Sequence, residues 1–419
     1  MERGVRNRGR RPGGSRRTAA RDPWLRPLAR LFHKLLDRID RGLAFGAIEA
    51  TLPGGAARRL GGRGEGPVAI VEIASWRALL RLATGGSAGW YEAWVAGEWS
   101  SPDPVPLFDL FMRNRRTLGE AGRASAWTKA LRRWMHWLRR NDRAGAQRNV
   151  AYHYDLGNDF YAPWLDAGMT YSSALFTRSG LPLEEAQHAK LAAMLERTAT
   201  APGDTILEIG SGWGSFAEVA AQGGRNVHGI TLSSEQRLYS ERRMAAAALE
   251  GATFTLTDYR DVVGRYDAVV SIEMVEAVGR EYWHAYLAAI AAALKPGGRA
   301  AIQFIAIDDA IFDSYARNVD FIQTYVFPGG LLVSEREFRA TAERVGLAWH
   351  DQQRFGASYA ETLRQWRERF DAAVAARRLP AEFDDHFVAL WRYYLMYCEG
   401  GFRGGGIDVS QVTLVKGEG

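Results

Sequence analysis

Cysteine is almost missing from this chain of 419 residues: Cys398 stands alone, which excludes an internal disulfide and any cysteine-rich metal cluster. No run of about 18 apolar residues occurs, so no bilayer-spanning helix is expected. The stretch after the Arg16–Arg17 pair is broken by Arg26, Arg30, Lys34 and Asp37. It offers no apolar core for a secretory signal, and none is expected. No internal repeat is found, and no metal site is expected.

What the chain does contain is unevenly placed. Residues 1–40 hold twelve Lys/Arg against four Asp/Glu, so the net charge of +6 comes from the N-terminus. Residues 1–22 read as a disordered basic arm that approaches anionic lipid headgroups or nucleic acid, or serves solubility. A chain this long exceeds one hydrophobic core, and two domains are expected. Residues 24–41 have helical apolar spacing within a small N-terminal α+β domain, residues 23–116. Residues 69–74 read as a strand there, and Gly85, Gly86 and Gly97 punctuate the chain. No catalytic constellation is visible in that domain.

Residues 117–150 read as a helical connector. Trp127, Leu131, Trp134 and Leu138 share one helix face amid arginines, which suits either a membrane interface or packing on a neighbour. From residue 151 onward, short apolar strands alternate with helices: strands at 205–209, 226–231, 253–257, 268–272 and 299–305, helices at 215–221 and 235–250. This alternation implies an α/β, Rossmann-like, mostly parallel sheet. Residues 407–415 alternate with period two and are expected to add an antiparallel edge strand.

The most informative segment is TILEIGSGWGS at 205–215: a strand, an acidic residue, a glycine-rich turn and a helix. Gly210, Gly212 and Gly214 let a ligand approach the backbone. The spacing is not that of dinucleotide binders, and no Lys-Ser/Thr follows as a phosphate loop requires. At the next strand end, GITLSSEQ at 229–236 puts Thr231 where nucleoside binders usually carry an acid, leaving Thr231 and Gln236 to supply polar contacts. In TDYR at 257–260, Asp258 can accept from an adenine amino group and Tyr259 can stack on the ring. The fourth strand runs into SIEMVEAVG at 271–279, and LKPGG at 294–298 reads as a tight turn into the fifth strand. This order of elements, without a pyrophosphate grip, points to S-adenosylmethionine, with Glu208 among its contacts.

The chain resembles the cyclopropane-fatty-acyl-phospholipid synthase family. The likeness rests on YHYDLGNDFY at 152–161, MTYSSALF at 169–176, GITLSSEQ, residues 258–261, YVFPGG at 325–330, FGASY at 355–359 and residues 394–411 around Gly401-Phe402-Arg403. It extends over roughly residues 65–415. It implies a class I methyltransferase domain at 151–419 with helical lid insertions, in which Tyr171 and Ser172 touch the cofactor. The implied activity is methyl transfer to the cis double bond of an unsaturated phospholipid acyl chain, then ring closure to a cyclopropane. The implied partners are unsaturated phospholipid acyl chains and the inner face of a membrane, met from the cytoplasm, with a homodimer as an option. No nucleic acid is implied.

The carbocation of that reaction requires an apolar, water-free pocket with aromatic faces, for which Phe321, Tyr325, Phe327 and Tyr359 are candidates. The family generally holds a bicarbonate as base, on a cysteine, a glutamate, a histidine, an isoleucine backbone and a tyrosine. The matching positions here are Ser173, Glu276, Gln303, Ile305 and Tyr359. With two partners replaced, bicarbonate is in doubt. Without it, Glu276 can serve as base if an apolar site raises its proton affinity, and the product becomes a methylene- or methyl-branched chain. The competing readings are a methyltransferase of a small polar metabolite and a non-catalytic S-adenosylmethionine sensor.

Overall fold

The computed structural model describes residues 29–119 and 156–418. The basic arm, most of the connector and Tyr152 to Asp155 lie outside the described residues. Two sheets organise the rest. The smaller comprises β1 (Ala47–Thr51), β2 (Ala57–Gly61), β3 (Val68–Ile73) and β4 (Trp99–Ser100), in the order β2-β1-β3-β4. Its β3 alternates exposed and buried residues, the pattern of a sheet covered on one face. Helices Ala29–Gly42 and Val105–Arg113 pack against this sheet.

The larger sheet comprises β5 (Thr205–Ile209), β6 (Asn226–Thr231), β7 (Ala252–Leu256), β8 (Tyr266–Ile272), β9 (Leu294–Ile307), β10 (Leu347–Arg354) and β11 (Ile407–Lys416), in the order β10-β11-β9-β8-β5-β6-β7. The strands from β9 to β7 are parallel; β11 runs antiparallel to both β9 and β10. Strand β5 sits in the middle of the parallel part with four of its five residues buried, as expected of a strand covered on both faces. Its carboxyl end delivers the glycine-rich turn to the crevice where open α/β sheets bind ligands.

One expectation is corrected. Strand β11 is not the edge: β10 lies outside it. The period-two alternation of β11 suggested one solvated face, yet Ser410, Gln411 and Thr413 are all buried and bonded within the protein. Strand β10 is mostly polar, carries an irregularity between His350 and Gln353, and gives no apolar alternation to read. Gly86 does punctuate the chain: its non-helical backbone (φ 61°, ψ −144°), a conformation open to glycine, divides Arg77–Val95 into two helical segments across a kink.

One apolar cluster joins the small sheet to helices Gly356–Ala375 and Asp385–Arg403, and the large sheet has two clusters of its own. Helix Val105–Arg113 lies across helix Asp385–Arg403, and Gly400 makes the crossing close. A Cβ there would stand 2.4 Å from Phe108 Cβ and 2.8 Å from the Val105 carbonyl oxygen. The N-terminal domain is therefore fixed on the methyltransferase domain by backbone proximity. Gly400→Val should force the helices apart and lower stability by at least the roughly 1–3 kcal/mol typical of overpacking. Chemical denaturation read by tryptophan fluorescence measures the loss.

Candidate active site

Between the domains lies a cavity of about 480 Å3, lined largely by apolar and aromatic side chains. The N-terminal domain, in which the sequence shows no functional feature, supplies one wall with Leu82, Trp90, Phe108 and Phe111. The opposite wall carries Tyr171, Ile305, Tyr359, Tyr394 and Phe402, with Glu273 and Glu276 also on the lining. Of the four aromatic candidates, Phe327 and Tyr359 face this space. Phe321 is instead fully buried among Tyr91, Tyr325 and Tyr393, and the Tyr325 hydroxyl donates to Glu92 (3.0 Å). These two residues tie the lid helix Phe321–Tyr325 to the N-terminal domain.

The glycine-rich turn meets Met274, which follows the cavity-lining Glu273 in the chain. Gly210 (φ 81°) and Gly214 (φ 82°) take left-handed conformations, and a Cβ on Gly210 would press on Met274 at 3.0 Å. Gly212 (φ 52°) has open space where its Cβ would be. Glu208 is buried with Oε2 lacking a hydrogen-bond partner, and the Ser211 hydroxyl is likewise buried and unpaired. A left-handed glycine turn with two unsatisfied buried polar groups fits a polar ligand such as the S-adenosylmethionine headpiece. Burial raises the Glu208 pKa well above the usual carboxylate range, while Lys190 opposes the shift.

Thr231 and Gln236 meet at the end of β6, the Thr231 hydroxyl donating to Gln236 Oε1 (2.8 Å). The Ser233 side chain caps helix Ser234–Ala246 and holds Gln236 in place. Asp258 caps the short turn Tyr259–Asp261, and both of its oxygens also engage Arg260. Tyr259 lies edge-on to Tyr286. Tyr171 stacks on Trp366 and shares a 2.9 Å hydrogen bond with the Tyr394 hydroxyl.

The Ser172 hydroxyl accepts from Lys190 Nζ (2.7 Å). Lys190, on helix Leu183–Thr198, is fully buried and interacts with the charges of Glu273, Asp166 and Glu208. Desolvation lowers its pKa to about 8, against the pull of those carboxylates. Lys190 carries no signal in the sequence, because one lysine among the polar residues of a helix reads as surface.

Ser173, Gln303 and Tyr359 do converge, but on a residue the motif comparison had passed over. The Ser173 backbone N–H (2.8 Å) and Gln303 Nε2 (2.7 Å) both donate to Glu273 Oε1, and the Tyr359 hydroxyl (2.8 Å) donates to Oε2. The Ile305 backbone N–H donates to Glu276 Oε1, while Glu276 Oε2 is buried without a partner. Burial and the neighbouring Glu273 raise the Glu276 pKa to about 8. Burial also raises that of Glu273, against the pull of its three donors and Lys190. Glu276 therefore holds its proton at neutral pH.

A seven-stranded α/β sheet with a glycine-rich turn at its carboxyl edge defines a class I, S-adenosylmethionine-dependent methyltransferase. The chain belongs to the mycolic acid cyclopropane synthetase family, whose pattern matches residues 141–412. It is 38% identical over 358 residues to the tuberculostearic acid methyltransferase UfaA1 of Mycobacterium tuberculosis, covering 80% of each chain. It is 37% identical over 271 residues to the cyclopropane-fatty-acyl-phospholipid synthase of Escherichia coli strain K12, covering 63% of this chain and 67% of the relative. Among solved structures, mycolic acid cyclopropane synthase CmaA1 complexed with SAH and CTAB superposes with a TM-score of 0.61 at 31% identity, covering 64% of this chain and 98% of the other. The protein is thus an enzyme of S-adenosylmethionine chemistry in a family that modifies lipids.

Two outcomes test these electrostatics. Lys190→Met leaves buried carboxylates without their cation and should cost about 3–5 kcal/mol of stability, measured by denaturant titration. For Glu276, the pKa rises from 4.5 in the unfolded chain to about 8 when folded. Within that window the unfolded chain binds fewer protons, so this group's contribution falls as pH rises. Glu276→Gln should accordingly raise Tm relative to the unaltered protein at pH 8 and not at pH 5. A larger gain at pH 5 would show that Glu276 is ionised in the fold.

Proposed function

We propose that the enzyme methylates the cis double bond of an unsaturated phospholipid acyl chain and releases it with a methylene branch. The observation that carries this reading is the apolar, aromatic-walled cavity with Glu273 and Glu276 on its lining, while Met274 between them packs at Gly210 of the glycine-rich turn. Gly210, Gly212, Gly214, Glu208, Thr231, Gln236, Asp258, Tyr259, Tyr171 and Ser172 are the residues assigned to the cofactor. When bound, S-adenosylmethionine supplies an electrophilic methyl group on a sulfonium.

The alkene π pair forms a bond to that methyl as the old C–S pair returns to sulfur. The adjacent chain carbon is left cationic. Tyr171, Tyr359, Tyr394 and Phe402 offer π faces to this charge, and the apolar wall keeps out water that would quench it. A hydride, carrying its electron pair, shifts from the methyl-bearing carbon to the cationic one. Loss of a proton from the methyl group then leaves its C–H pair as the new double bond.

Direct proton loss without the hydride shift would close a cyclopropane instead, a reading favoured by the likeness to the Escherichia coli enzyme. The branched product is preferred on two grounds. Ser173 and Gln303 replace the cysteine and histidine that the family places at the base. The relative that aligns with 80% of this chain is named a methyltransferase. The basic surplus of residues 1–40 supports docking from the cytoplasm at the inner face of a membrane. A small polar acceptor would find few handles in this cavity.

Unsaturated phospholipid vesicles incubated with enzyme and methyl-labelled cofactor should yield a labelled acyl chain with one added carbon. Mass spectrometry after ozonolysis should show the branch alkene. A saturated ring would select the cyclopropane reading, and labelling only of water-soluble acceptors would reject the lipid substrate.

A further inference from the structure

We infer that Glu273 is the proton acceptor of the reaction, a carboxylate built into the chain where the family's resemblance places a dissolved bicarbonate. The inference rests on the acyl methylation proposed above and concerns the same site. Its first support is the backbone. Glu273 has φ 51°, in the left-handed region that favours glycine. A buried, branched-charge side chain is held there only where its surroundings demand it. Its N–H donates to the Gln303 carbonyl oxygen (2.8 Å), so β9 fixes the conformation.

The second support is the direction of the hydrogen bonds. Arg197 can only donate, and its Nε donates to Gln411 Oε1 (3.2 Å). Gln411 must then turn its amide nitrogen to Gln303 Oε1 (3.0 Å), and Gln303 its own nitrogen to Glu273 Oε1 (2.7 Å). The Ser173 backbone N–H converges on the same oxygen. Oε1 is thus fixed as an acceptor, and Oε2 accepts from Tyr359, a residue that lines the cavity together with Glu273. The charged and titratable neighbours are Lys190, Glu276 and Tyr359, with Asp166 and Glu208 beyond Lys190. Three donors reach Glu273, whereas Glu276 has one backbone N–H and an unpartnered Oε2, so hydrogen bonding favours the charged form at Glu273 over Glu276.

The third support is that the donors are spent. Ser173 N–H, Gln303 Nε2 and Tyr359 OH are occupied by Glu273, and Ile305 N–H by Glu276. A free anion would have to displace one of these side chains. In the step itself, Glu273 Oε2 takes a proton from the transferred methyl group of the cationic chain, the C–H pair becomes the new C=C bond, and the proton passes to water as product leaves.

The test uses the full chain, unsaturated phospholipid vesicles and labelled S-adenosylmethionine, in buffer freed of carbon dioxide or supplemented with bicarbonate. The unaltered protein should turn over equally in both. Glu273→Gln fills the cradle without a base and should lose about 10²–10⁴-fold of turnover in both buffers. Glu273→Gly vacates the cradle and suits the left-handed backbone. It should fold, bind S-adenosylmethionine as before and lose turnover without bicarbonate, then recover at least part of it with bicarbonate. Bicarbonate dependence of the unaltered protein, near-full turnover by Glu273→Gln, or a Glu273→Gly loss that bicarbonate leaves unrestored would each overturn the inference. No lipid turnover by the unaltered protein would instead bring down the proposed function.

Discussion

A single buried ammonium holds the catalytic half together. Lys190 Nζ sits out of water beside Ser172, in the field of Asp166, Glu208 and Glu273. Each carboxylate comes from a different element: the loop before the YSS segment, the end of β5 and the end of β8. Separately, each would be expelled or neutralised by desolvation. Gathered around one cation, they bind the substrate-side loop, the cofactor strand and the carboxylate loop into a unit. Asp166 extends it by accepting from the Gly168 and Thr170 backbone N–H groups and the Thr170 hydroxyl.

Around that charged centre the protein builds an apolar space from two domains. The kinked helix Arg77–Val95 and helix Val105–Arg113 come from one, and the tyrosine-bearing segments from the other. Charge and grease are thereby kept apart by little more than one side chain. Glu273 and Glu276 reach the lining, whereas Lys190 bonds to Ser172 and is not on it. In the reaction proposed above, a cation on the acyl chain would meet aromatic faces and a carboxylate, with the protein's own cation standing off.

The central strands and the glycine turn were legible in the sequence because their signals are local. Residues 205–209 and 226–231 form β5 and β6 with the bounds that their apolar runs suggest. The outer strand β10 was not, since an edge strand needs no apolar pattern. The site was half legible. Motif comparison picked out Ser173, Gln303, Ile305, Tyr359 and Glu276, but not Glu273, the residue on which three of them converge. A clue existed in the paired acids of SIEMVEAVG, yet only the fold shows which acid faces the donors. Lys190 lay on an alternating helix whose burial is a tertiary fact. The N-terminal wall of the cavity arises from a helix crossing at Gly400, and no motif records it.

The shared wall separates two evolutionary tasks. Residues such as Leu82, Trp90, Phe108 and Phe111 line the cavity proposed to take the acyl tail, and they come from other elements than the glycine turn and the carboxylates. Exchanges of bulk among them can re-measure that space and leave the bond-making atoms alone. A lineage facing a new membrane composition could therefore retune its appetite for chain length or shape from the N-terminal side, one apolar swap at a time.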